Sequence, residues 1–340
     1  MSDRAKVAII GAGLSGLIAA RELADIADVT VFEKARGVGG RMSVRYADPY
    51  QFDLGVQFFL AKLPEFQTFL DPLIEAGAVA RWDAEFVEFT GLEVTHRRRW
   101  MKDFPHYVGA PKMNEICKYL ARDVDVRLKT RIEQVKYGQN QWRLIDDKGE
   151  DIGCFDWVIS TAPPKQTEAL LPDIFVHMDR VKQTNMAGCY TLMLGFDQPV
   201  DLPWQAALIK ERDISWVSVN SSKPSRPAPF AMMAHATNKW AETHMEDDME
   251  LVKAHLVSEV SAITGHDIAA LASHVDVHRW RYANIGKQQG DDSLIDVPHH
   301  LAACGDWCVQ GRVECAFASA MDLTRRLREN LLAIPSEALA

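Results

Sequence analysis

The chain has 340 residues, of which 47% are hydrophobic and 25% are charged, a composition that is ordinary for a globular protein and excludes wholesale disorder. The formal net charge of −9 excludes an overall attraction to nucleic acid or to anionic lipid. The six cysteines contain no Cys-x-x-Cys pair, which disfavours a disulfide framework or a metal site, and no apolar run reaches the roughly 18 residues that cross a bilayer. We therefore expect a cytoplasmic protein with no nucleic-acid or membrane partner.

The N-terminal stretch predicts a βαβ unit. "KVAII" (6–10) is a short apolar run that is typical of a buried parallel strand. Apolar residues at helical spacing follow from 14 to 24, and "DVTVFEK" (28–34) predicts a second strand. Strand, turn, helix and strand within about thirty residues form the unit that commonly binds dinucleotides.

The turn of this unit carries the pattern Gly11-x-Gly13-x-x-Gly16. In a dinucleotide site the first glycine allows the tight turn, the second lets the backbone approach a pyrophosphate, and the third permits close helix packing. Glu33 ends the second strand, at the place where an acid binds a ribose diol. The pattern favours a dinucleotide over a bare structural turn, but it leaves NAD and FAD open.

Further elements follow in chain order. The patterns predict a helix over 64–77, a loop and then a helix over 106–124, and strands in "DVRLKT", "RIEQVKYG", "QWRLIDDKG" and "FDWVISTAP". Residues 186–237 are strand-rich, a helix is expected over about 246–263, and "HVDVHRWRYAN" predicts another strand. The chain then continues as a strand, a glycine turn and a helix.

Two polar segments have open interpretations. "HRRRW" (96–100) is interpreted as a solvated basic turn, with the anion-binding edge of a substrate pocket as the alternative. "SKPSRPAPF" (222–230) has the composition of a linker but is too short to separate two independent domains.

A second glycine loop, "KARGVGGRM" (34–42), follows Glu33 directly and favours a flavin dinucleotide, whose ribityl chain and ring extend past the pyrophosphate. Far along the chain, "CGDWCVQGRVECAFA" places Asp306 after Gly305, where it could bind ribityl hydroxyls. The helix that begins near Val313 would direct its positive end at the flavin. A redox dithiol or metal site is the alternative for this segment, but the Cys-x-x-x-Cys spacing suits neither.

These motifs, together with "FDLGVQFF", "HYVGAPKMNEICKYLA" and "HRWRYA", resemble those of the monoamine oxidase and phytoene desaturase flavoprotein superfamily, and within it the bacterial renalases. The resemblance spans nearly the whole chain. It implies an α/β fold in which a Rossmann-type FAD-binding domain (1–80, 106–165 and 285–335) is joined to a cap domain. That substrate-binding domain (81–105 and 166–284) would combine a mixed β-sheet with helices in a monoamine oxidase-like two-domain architecture.

The cofactor implied is FAD, held non-covalently because residues 190–303 contain no cysteine that could carry a covalent flavin. The residues assigned to it are Gly11, Ala12, Gly13, Leu14, Ser15, Gly16, Glu33, Lys34, Gly39, Gly40, Arg41, Met42, Gln57, Phe58, Val135, Gly305, Asp306, Arg312, Val313 and Ala316.

The activity implied is oxidation of 1,2- and 1,6-dihydro isomers of NAD(P) to β-NAD(P)⁺, with O₂ reduced to hydrogen peroxide. Trp280, Tyr282 and His235 are expected to orient the substrate at the flavin, and Asn238, Arg279 and Arg281 to bind it. For each of these the alternative is an ordinary structural role in a packed strand or an ion pair. An amine oxidase, a desaturase and a non-catalytic flavin-binding protein remain alternative functions.

Overall fold

The computed structural model describes residues 4–226 and 229–333. Contacts divide the chain into two compact units. The first lies within Met1–Gly40, Cys117–Met186 and Ile285–Ala340, and the second within Arg41–Ile116 and Ala187–Asn284.

The strands of the described residues are β1 (Ala5–Ile10), β2 (Ala27–Glu33), β3 (Val44–Ala47), β4 (Tyr50–Asp53), β5 (Val79–Arg81), β6 (Glu85–Thr90), β7 (Glu93–Arg99), β8 (Tyr107–Gly109), β9 (Asp125–Leu128), β10 (Ile132–Gly138), β11 (Gln141–Asp146), β12 (Asp151–Phe155), β13 (Trp157–Ser160), β14 (Ala187–Phe196), β15 (Ala206–Lys210), β16 (Ile214–Val219), β17 (Phe230–Ala236), β18 (His274–Asn284), β19 (Leu294–Asp296) and β20 (Leu301–Ala303). The helices are α1 (Leu14–Leu23), α2 (Pro64–Glu75), α3 (Glu115–Leu120), α4 (Pro164–Leu170), α5 (Met178–Gln183), α6 (Asn238–Thr243), α7 (Met249–Thr264), α8 (Ile268–Leu271) and α9 (Val313–Ala333).

The first unit is built on a six-stranded sheet in the order β19-β20-β13-β1-β2-β9. All neighbours are parallel except β19 and β20, which are antiparallel. The central strand β1 is apolar because both of its faces are covered, and Val7, Ala8 and Ile9 are fully buried. Its last residue Ile10 pairs with Phe32 and with Ser160, so the carboxyl ends of β1, β2 and β13 meet at one edge of the sheet.

The second unit is built on a seven-stranded mixed sheet in the order β18-β14-β17-β16-β15-β6-β7. One face is apolar and packs on α7, with Leu192, Val217 and Ala234 in the same buried cluster as Leu256 and Val260 of that helix. Because successive strand residues point to opposite faces, the residues between these apolar positions lie on the other face, where a smaller cluster includes residues of β4.

Most predicted elements are confirmed, including the βαβ unit, the long helix near 249–264 and the strand at 274–284. The strand predicted in "FDWVISTAP" is confirmed as β13, which joins the parallel sheet, whereas β12, which ends at Phe155 and pairs antiparallel with β11, was not predicted. Asp156 lies between these two strands, and its carboxylate accepts a hydrogen bond from the Lys6 amide at 2.7 Å.

The basic segment 96–100 is also different from its prediction. It is not a turn, because residues 93–99 form the exposed edge strand β7, paired with β6. Arg98 lies 5.0 Å from the Phe86 ring centroid and Arg99 lies 3.6 Å from Glu85, so cross-strand contacts hold both side chains.

The compact units and the predicted domains have different boundaries. Residues 41–80 and 106–116 group with the second unit, and 166–186 with the first. Contacts define the units whereas ligand binding defines the predicted domains, so the assignment of these segments to FAD or substrate stays a prediction. Residues 1–3 and 334–335 of the predicted cofactor domain, and 227–228 of the substrate domain, lie outside the described residues. Among the described helices, none is both long and apolar enough to span a bilayer.

Candidate functional site

The glycine turn of the first unit is closed by the backbone. Gly11 has a φ of +114°, which favours glycine, and its amide donates to the Phe32 carbonyl at 2.8 Å. From the neighbouring strand end, the Thr161 hydroxyl donates to the Gly11 carbonyl at 3.0 Å. The turn is therefore fixed between β1, β2 and the end of β13.

The other two glycines of the motif have different surroundings. A Cβ on Gly16 would lie 2.0 Å from the Gly11 carbonyl oxygen, so only glycine fits there. A Cβ on Gly13 would meet no atom within 4 Å. Gly13 is the residue before α1 and has an ordinary φ of −76°. The side of the turn at Gly13 is thus open to an approaching group, at the positive end of a ten-residue helix.

Glu33 completes this edge of the sheet. Its buried carboxylate accepts hydrogen bonds from the Ala12 amide at 2.9 Å and from the Ala35 amide at 2.8 Å, one on each oxygen. Each carboxylate oxygen has a second lone pair, so Glu33 is oriented by the backbone and can still accept from a ribose hydroxyl.

The second glycine loop lies against the first. The Gly39 amide donates to the Ala12 carbonyl at 2.9 Å, and a Cβ on Gly40 would lie 3.5 Å from the Gly13 Cα. Lys34, by contrast, is exposed and donates to Gln166 at 2.9 Å. Gly11, Ala12, Gly13, Glu33, Gly39 and Gly40 are therefore brought together at the carboxyl edge of the parallel sheet.

The segment from 303 to 321 joins the same unit. The Ser15 hydroxyl donates to the Ala316 carbonyl at 2.9 Å, linking α1 to α9. The Gly305 amide donates to the Ser319 hydroxyl at 2.9 Å, and Asp306 is buried. Burial raises the pKa of the Cys308 thiol to about 12, so this thiol stays protonated at neutral pH and the redox-dithiol alternative loses its support.

The remaining predicted residues of this unit have simpler environments. Leu14 is buried at the first turn of α1, and Val135 is buried on β10 opposite Leu144. Arg312 is exposed just before Val313 begins α9. The closed Gly11–Gly16 contact, the open approach at Gly13 and the oriented Glu33 carboxylate together fit a dinucleotide.

In the second unit, a row of polar side chains crosses four strands. Trp216 on β16 pairs with His235 on β17, His235 with Thr191 on β14, and Thr191 with His278 on β18. Paired residues share a face of a sheet, and three strand spacings place the row over roughly 14 Å. Among the described residues, no hydrogen-bond partner is found for Trp216 Nε1, His235 Nε2 or Thr191 Oγ1.

The two imidazoles of this row are held neutral. Burial lowers the pKa of His235 from its usual value to about 4, and the nearby Lys223 cation acts in the same direction. Burial likewise lowers the pKa of His278 to about 4, helped by Arg45. At neutral pH the row therefore offers uncharged donors and acceptors.

Trp280 lies next to this row on β18. Its ring centroid is 4.5 Å from that of His278, and its Nε1 donates to the Leu54 carbonyl at 3.3 Å. The His235 imidazole also interacts with the backbone of Leu54. Tyr282 follows on β18 in the stretch where its pairing with β14 is irregular, so strand alternation does not fix its face. The structure thus brings together His235 and Trp280 on one face, and the role of Tyr282 stays a prediction.

Four predicted cofactor residues belong to the second unit. The Arg41 carbonyl accepts from the Val56 amide at 3.0 Å, and Met42 is buried. The Gln57 side chain is fully engaged within the unit: its Oε1 accepts from Ser218 and Lys223, and its Nε2 donates to two backbone carbonyls. Any contact of Gln57 with a cofactor would therefore use its backbone.

Phe58 is one ring of an aromatic cluster. Its centroid lies 4.9 Å from that of Trp100, 5.2 Å from that of His106 and 5.2 Å from that of Trp216. Through Trp216 this cluster reaches one end of the polar row.

Three predicted substrate residues are not brought together with His235. By strand alternation Arg279 points to the opposite face of the sheet, and Arg281 lies beside the same acid, Glu246, as Arg279 does. Arg279 donates to the Met245 carbonyl, and Arg281 pairs with Glu246 at 2.5 Å. Asn238 donates to the Gly188 carbonyl at 2.7 Å. All three side chains thus have protein partners.

Sequence reasoning missed several residues of these sites. Thr161 is signalled only by its position after a strand. Trp216 and Thr191 have no local signal, because only strand register brings them beside His235. Lys223 and Arg226 fall in the segment of linker-like composition, yet both side chains are buried beside Asp53. The composition of that segment gives no sign of this burial.

The contrast between the two glycines gives a prediction. We expect Gly13→Ala to leave the urea-unfolding free energy of the apoprotein within about 0.5 kcal/mol of wild type, because its Cβ meets nothing, but to weaken FAD binding at least tenfold by obstructing the pyrophosphate. Gly16→Ala should lower that free energy by about 1–3 kcal/mol or more, because its Cβ overlaps backbone. Urea titration and FAD titration measure both, and equal FAD affinity of Gly13→Ala and wild type would contradict the proposed phosphate position.

Comparison with known proteins supports this description. A family model of NAD(P)-binding Rossmann-like domains matches residues 9–73, and a model of flavin-containing amine oxidoreductases matches residues 86–320. A 4,4'-diapophytoene desaturase of Staphylococcus aureus (strain Newman) is 49% identical over 51 residues, which is 15% of this chain and 10% of the desaturase.

Solved structures extend the likeness to the whole fold. A putative protoporphyrinogen oxidase from Exiguobacterium sp. 255-15 has a TM-score of 0.75 at 13% identity, covering 95% of this chain and 98% of that one. A redesigned putrescine oxidase has a TM-score of 0.69 at 14% identity, covering 96% and 99%. The predicted fold class is therefore confirmed. The second family model spans more than half of the sequence, and the chain accordingly belongs to the flavin-containing amine oxidoreductase family, as an FAD-dependent oxidoreductase.

Proposed function

We propose that this oxidoreductase oxidises 1,2- and 1,6-dihydro isomers of NAD(P) to β-NAD(P)⁺, with O₂ as the electron acceptor. The observation that carries the proposal is the row of Trp216, His235 and Thr191, in which Trp216 Nε1, His235 Nε2 and Thr191 Oγ1 lack partners among the described residues and the imidazole is neutral.

The chemistry of the row suits a ring that carries a carboxamide. The indole Nε1 of Trp216 can only donate, whereas a neutral imidazole nitrogen and the Thr191 hydroxyl can donate or accept. A carboxamide offers one acceptor oxygen and two donor hydrogens. Leaving buried polar atoms unpaired costs about 1–3 kcal/mol each, so a ligand that satisfies them gains both affinity and orientation.

The charge of the row suits loss of a hydride. When a dihydronicotinamide ring gives up a hydride with its electron pair, the ring becomes an aromatic cation. A cationic side chain beside the ring would oppose that change, whereas neutral His235 and His278 do not. No base is needed, because no proton leaves the ring in this step.

When bound, FAD supplies the hydride acceptor at its N5 and passes the electrons to O₂, giving hydrogen peroxide. The protein would hold it non-covalently at the glycine turn, at Glu33 and at the segment that contains Gly305 and Asp306. Trp280 and Tyr282 would align the substrate ring, and the remaining task of the protein is to exclude water and fix the geometry.

Oxidation of an amine is the second candidate. The family match and the putrescine oxidase fold favour it, and the rings of Phe58, Trp100 and Trp216 could enclose an alkyl chain. An amine must first lose its proton before it can give up a hydride, and this requirement separates the two candidates by experiment.

The first prediction concerns substrate class. In anaerobic stopped-flow mixing, we expect the 1,2- and 1,6-dihydro isomers to bleach the flavin absorbance rapidly and to yield β-NAD(P)⁺, because they present a hydride donor and a carboxamide. β-NADH and a panel of amines run in parallel serve as controls. Fast bleaching by an amine, with none by either isomer, would favour the second candidate and reject the proposal.

The second prediction concerns the row itself. Trp216→Phe keeps an aromatic ring but removes the Nε1 donor, so we expect kcat/KM for the isomers to fall about tenfold, the equivalent of one hydrogen bond of roughly 1.4 kcal/mol. Thr191→Val should act similarly. Trp240→Phe is the matched control, because Trp240 packs on the apolar face. Equal losses in all three variants would show a general packing effect and contradict the assigned role.

The third prediction concerns pH. His235 is neutral above its lowered pKa of about 4, so the rate of flavin reduction by the isomers should stay level from pH 7 to about 6 and fall only as the pH approaches 4. Protonation there places a cation beside the ring. Stopped-flow pH jumps measure the profile, and His235→Asn should reduce the acid limb to the part contributed by His278, whose pKa is also lowered to about 4.

A midpoint near the ordinary histidine value of about 6.5 would show that the neutral-imidazole argument is wrong. Amine oxidation has the opposite signature, because its kcat/KM rises with pH as the free amine forms.

A further inference from the structure

A cluster of three charges is buried inside the second unit. The side chains of Lys223, Arg226 and Asp53 are 0%, 1% and 1% exposed. Two cations face one carboxylate, so the cluster carries a net charge of +1. Burying charges is costly unless their hydrogen bonds are satisfied, and the partners of each group therefore show what the cluster holds in place.

Asp53 is the centre of the cluster and ends β4. Its Oδ2 accepts from Lys223 Nζ at 3.0 Å and from Arg226 at 2.5 Å, and its Oδ1 accepts from the Met113 amide at 3.0 Å. Arg226 also donates to the Gly109 carbonyl at 2.8 Å. The carboxylate is therefore fixed from three segments of the unit.

Lys223 has a full set of acceptors. Besides Asp53, its ammonium donates to Gln57 Oε1 and to Asn220 Oδ1, each at 3.0 Å. Burial lowers the pKa of Lys223 to about 8, with Asp53 opposing the change and Arg226 adding to it. At neutral pH the lysine is thus mainly an ammonium with three donors in use.

Gln57 connects the charged cluster to a short loop. Its Nε2 donates to the Asp53 carbonyl at 2.6 Å and to the Gly55 carbonyl at 3.0 Å, which fixes the turn over 53–57. The same turn is enclosed on its other side, where a Cβ on Gly55 would lie 2.2 Å from the Arg41 carbonyl oxygen and 3.4 Å from the Trp280 ring.

The loop ends at the residues of the polar face. The Leu54 carbonyl accepts from Trp280 Nε1 at 3.3 Å, and the Leu54 backbone interacts with the His235 imidazole. Lys223 is thus hydrogen-bonded to Gln57, Gln57 holds the carbonyls on either side of Leu54, and the Leu54 backbone contacts His235 and Trp280.

We infer that Lys223 is a positioning residue of the oxidation site, which fixes the 53–57 loop through Gln57 and Asp53 and thereby sets the orientation of Trp280 and His235. The inference rests on the proposed function for the identity of the substrate, but not for the path of the contacts. Lys223 acts through the loop and does not itself touch the reacting ring.

The test uses the FAD-loaded protein and the variant Lys223→Met, with Lys210→Met as the matched control, since Lys210 pairs with Glu88 at an exposed site. The amides of Leu54 and Val56 donate to Ser43 and Arg41 at 3.0 Å each. We expect their hydrogen exchange, measured by mass spectrometry, to accelerate at least tenfold in Lys223→Met and to stay unchanged in Lys210→Met. Wild-type exchange in a folded Lys223→Met protein would overturn the inference.

Kinetics supply the second readout. With whichever dihydro isomer reduces the flavin faster, kcat should fall at least tenfold in Lys223→Met while KM changes less than threefold, because misaligned groups impair the reaction more than binding. A Trp280→Phe protein lacks the hydrogen bond to Leu54. In that background, Lys223→Met should lower the logarithm of kcat by less than half of the decrease that it causes in the wild-type protein. Strictly additive losses would refute the path through Leu54.

Gln57→Glu provides a second variant in case Lys223→Met does not fold. It keeps an oxygen for Lys223 and Ser218, balances the net charge of the cluster and removes the donor that fixes the loop, so it should reproduce the faster exchange. Unchanged exchange in this variant would also count against the inference. If no isomer reduces the wild-type flavin, the proposed function fails while the exchange experiment still decides the positioning role.

Discussion

The register of the seven-stranded sheet is the constraint on which the candidate substrate site depends. Its two faces have opposite character: one packs Leu192, Val217 and Ala234 against α7, and the other carries the polar row. A slip of β17 by one residue would turn His235 toward the helices and put an alanine in its place. Burial of the apolar face fixes the register in which the strands pair. That register in turn places the polar side chains next to one another on the other face.

This dependence explains which parts could be read from the sequence. The glycine turn and Glu33 are separated by a short stretch of chain, and the chemistry of a dinucleotide site imposes a local pattern. The fold class followed from that pattern and from its resemblance to known flavoproteins. The second glycine site, almost three hundred residues later, is predicted because it repeats the same order of a strand end, a glycine and a helix start.

The rest of the site has no local pattern. Thr191 and Trp216 are ordinary strand residues until pairing sets them beside His235. Lys223 lies among prolines and serines, a composition typical of exposed loops. Its side chain is nevertheless buried, where it pairs with Asp53, 170 positions away in the sequence. Long-range pairing of charges cannot be inferred from one sequence, because any of the many acids in the chain could be the partner.

The electrostatics of the second unit bear on which hydride donor the polar face would suit. Of its cations, Lys223 is paired with Asp53 and does not itself touch the ring, and Arg281 is paired with Glu246. The imidazoles of the face are uncharged. Such a surface does not supply a proton and does not oppose positive charge on the product.

A dihydronicotinamide ring and a free amine both become cationic when a hydride leaves, so a neutral polar face tolerates either. What separates them is the proton that an amine must lose beforehand. That step needs an acceptor and a higher pH, whereas the ring needs only to be held in position. A face that offers orientation without acid or base chemistry is therefore better matched to the ring than to the amine.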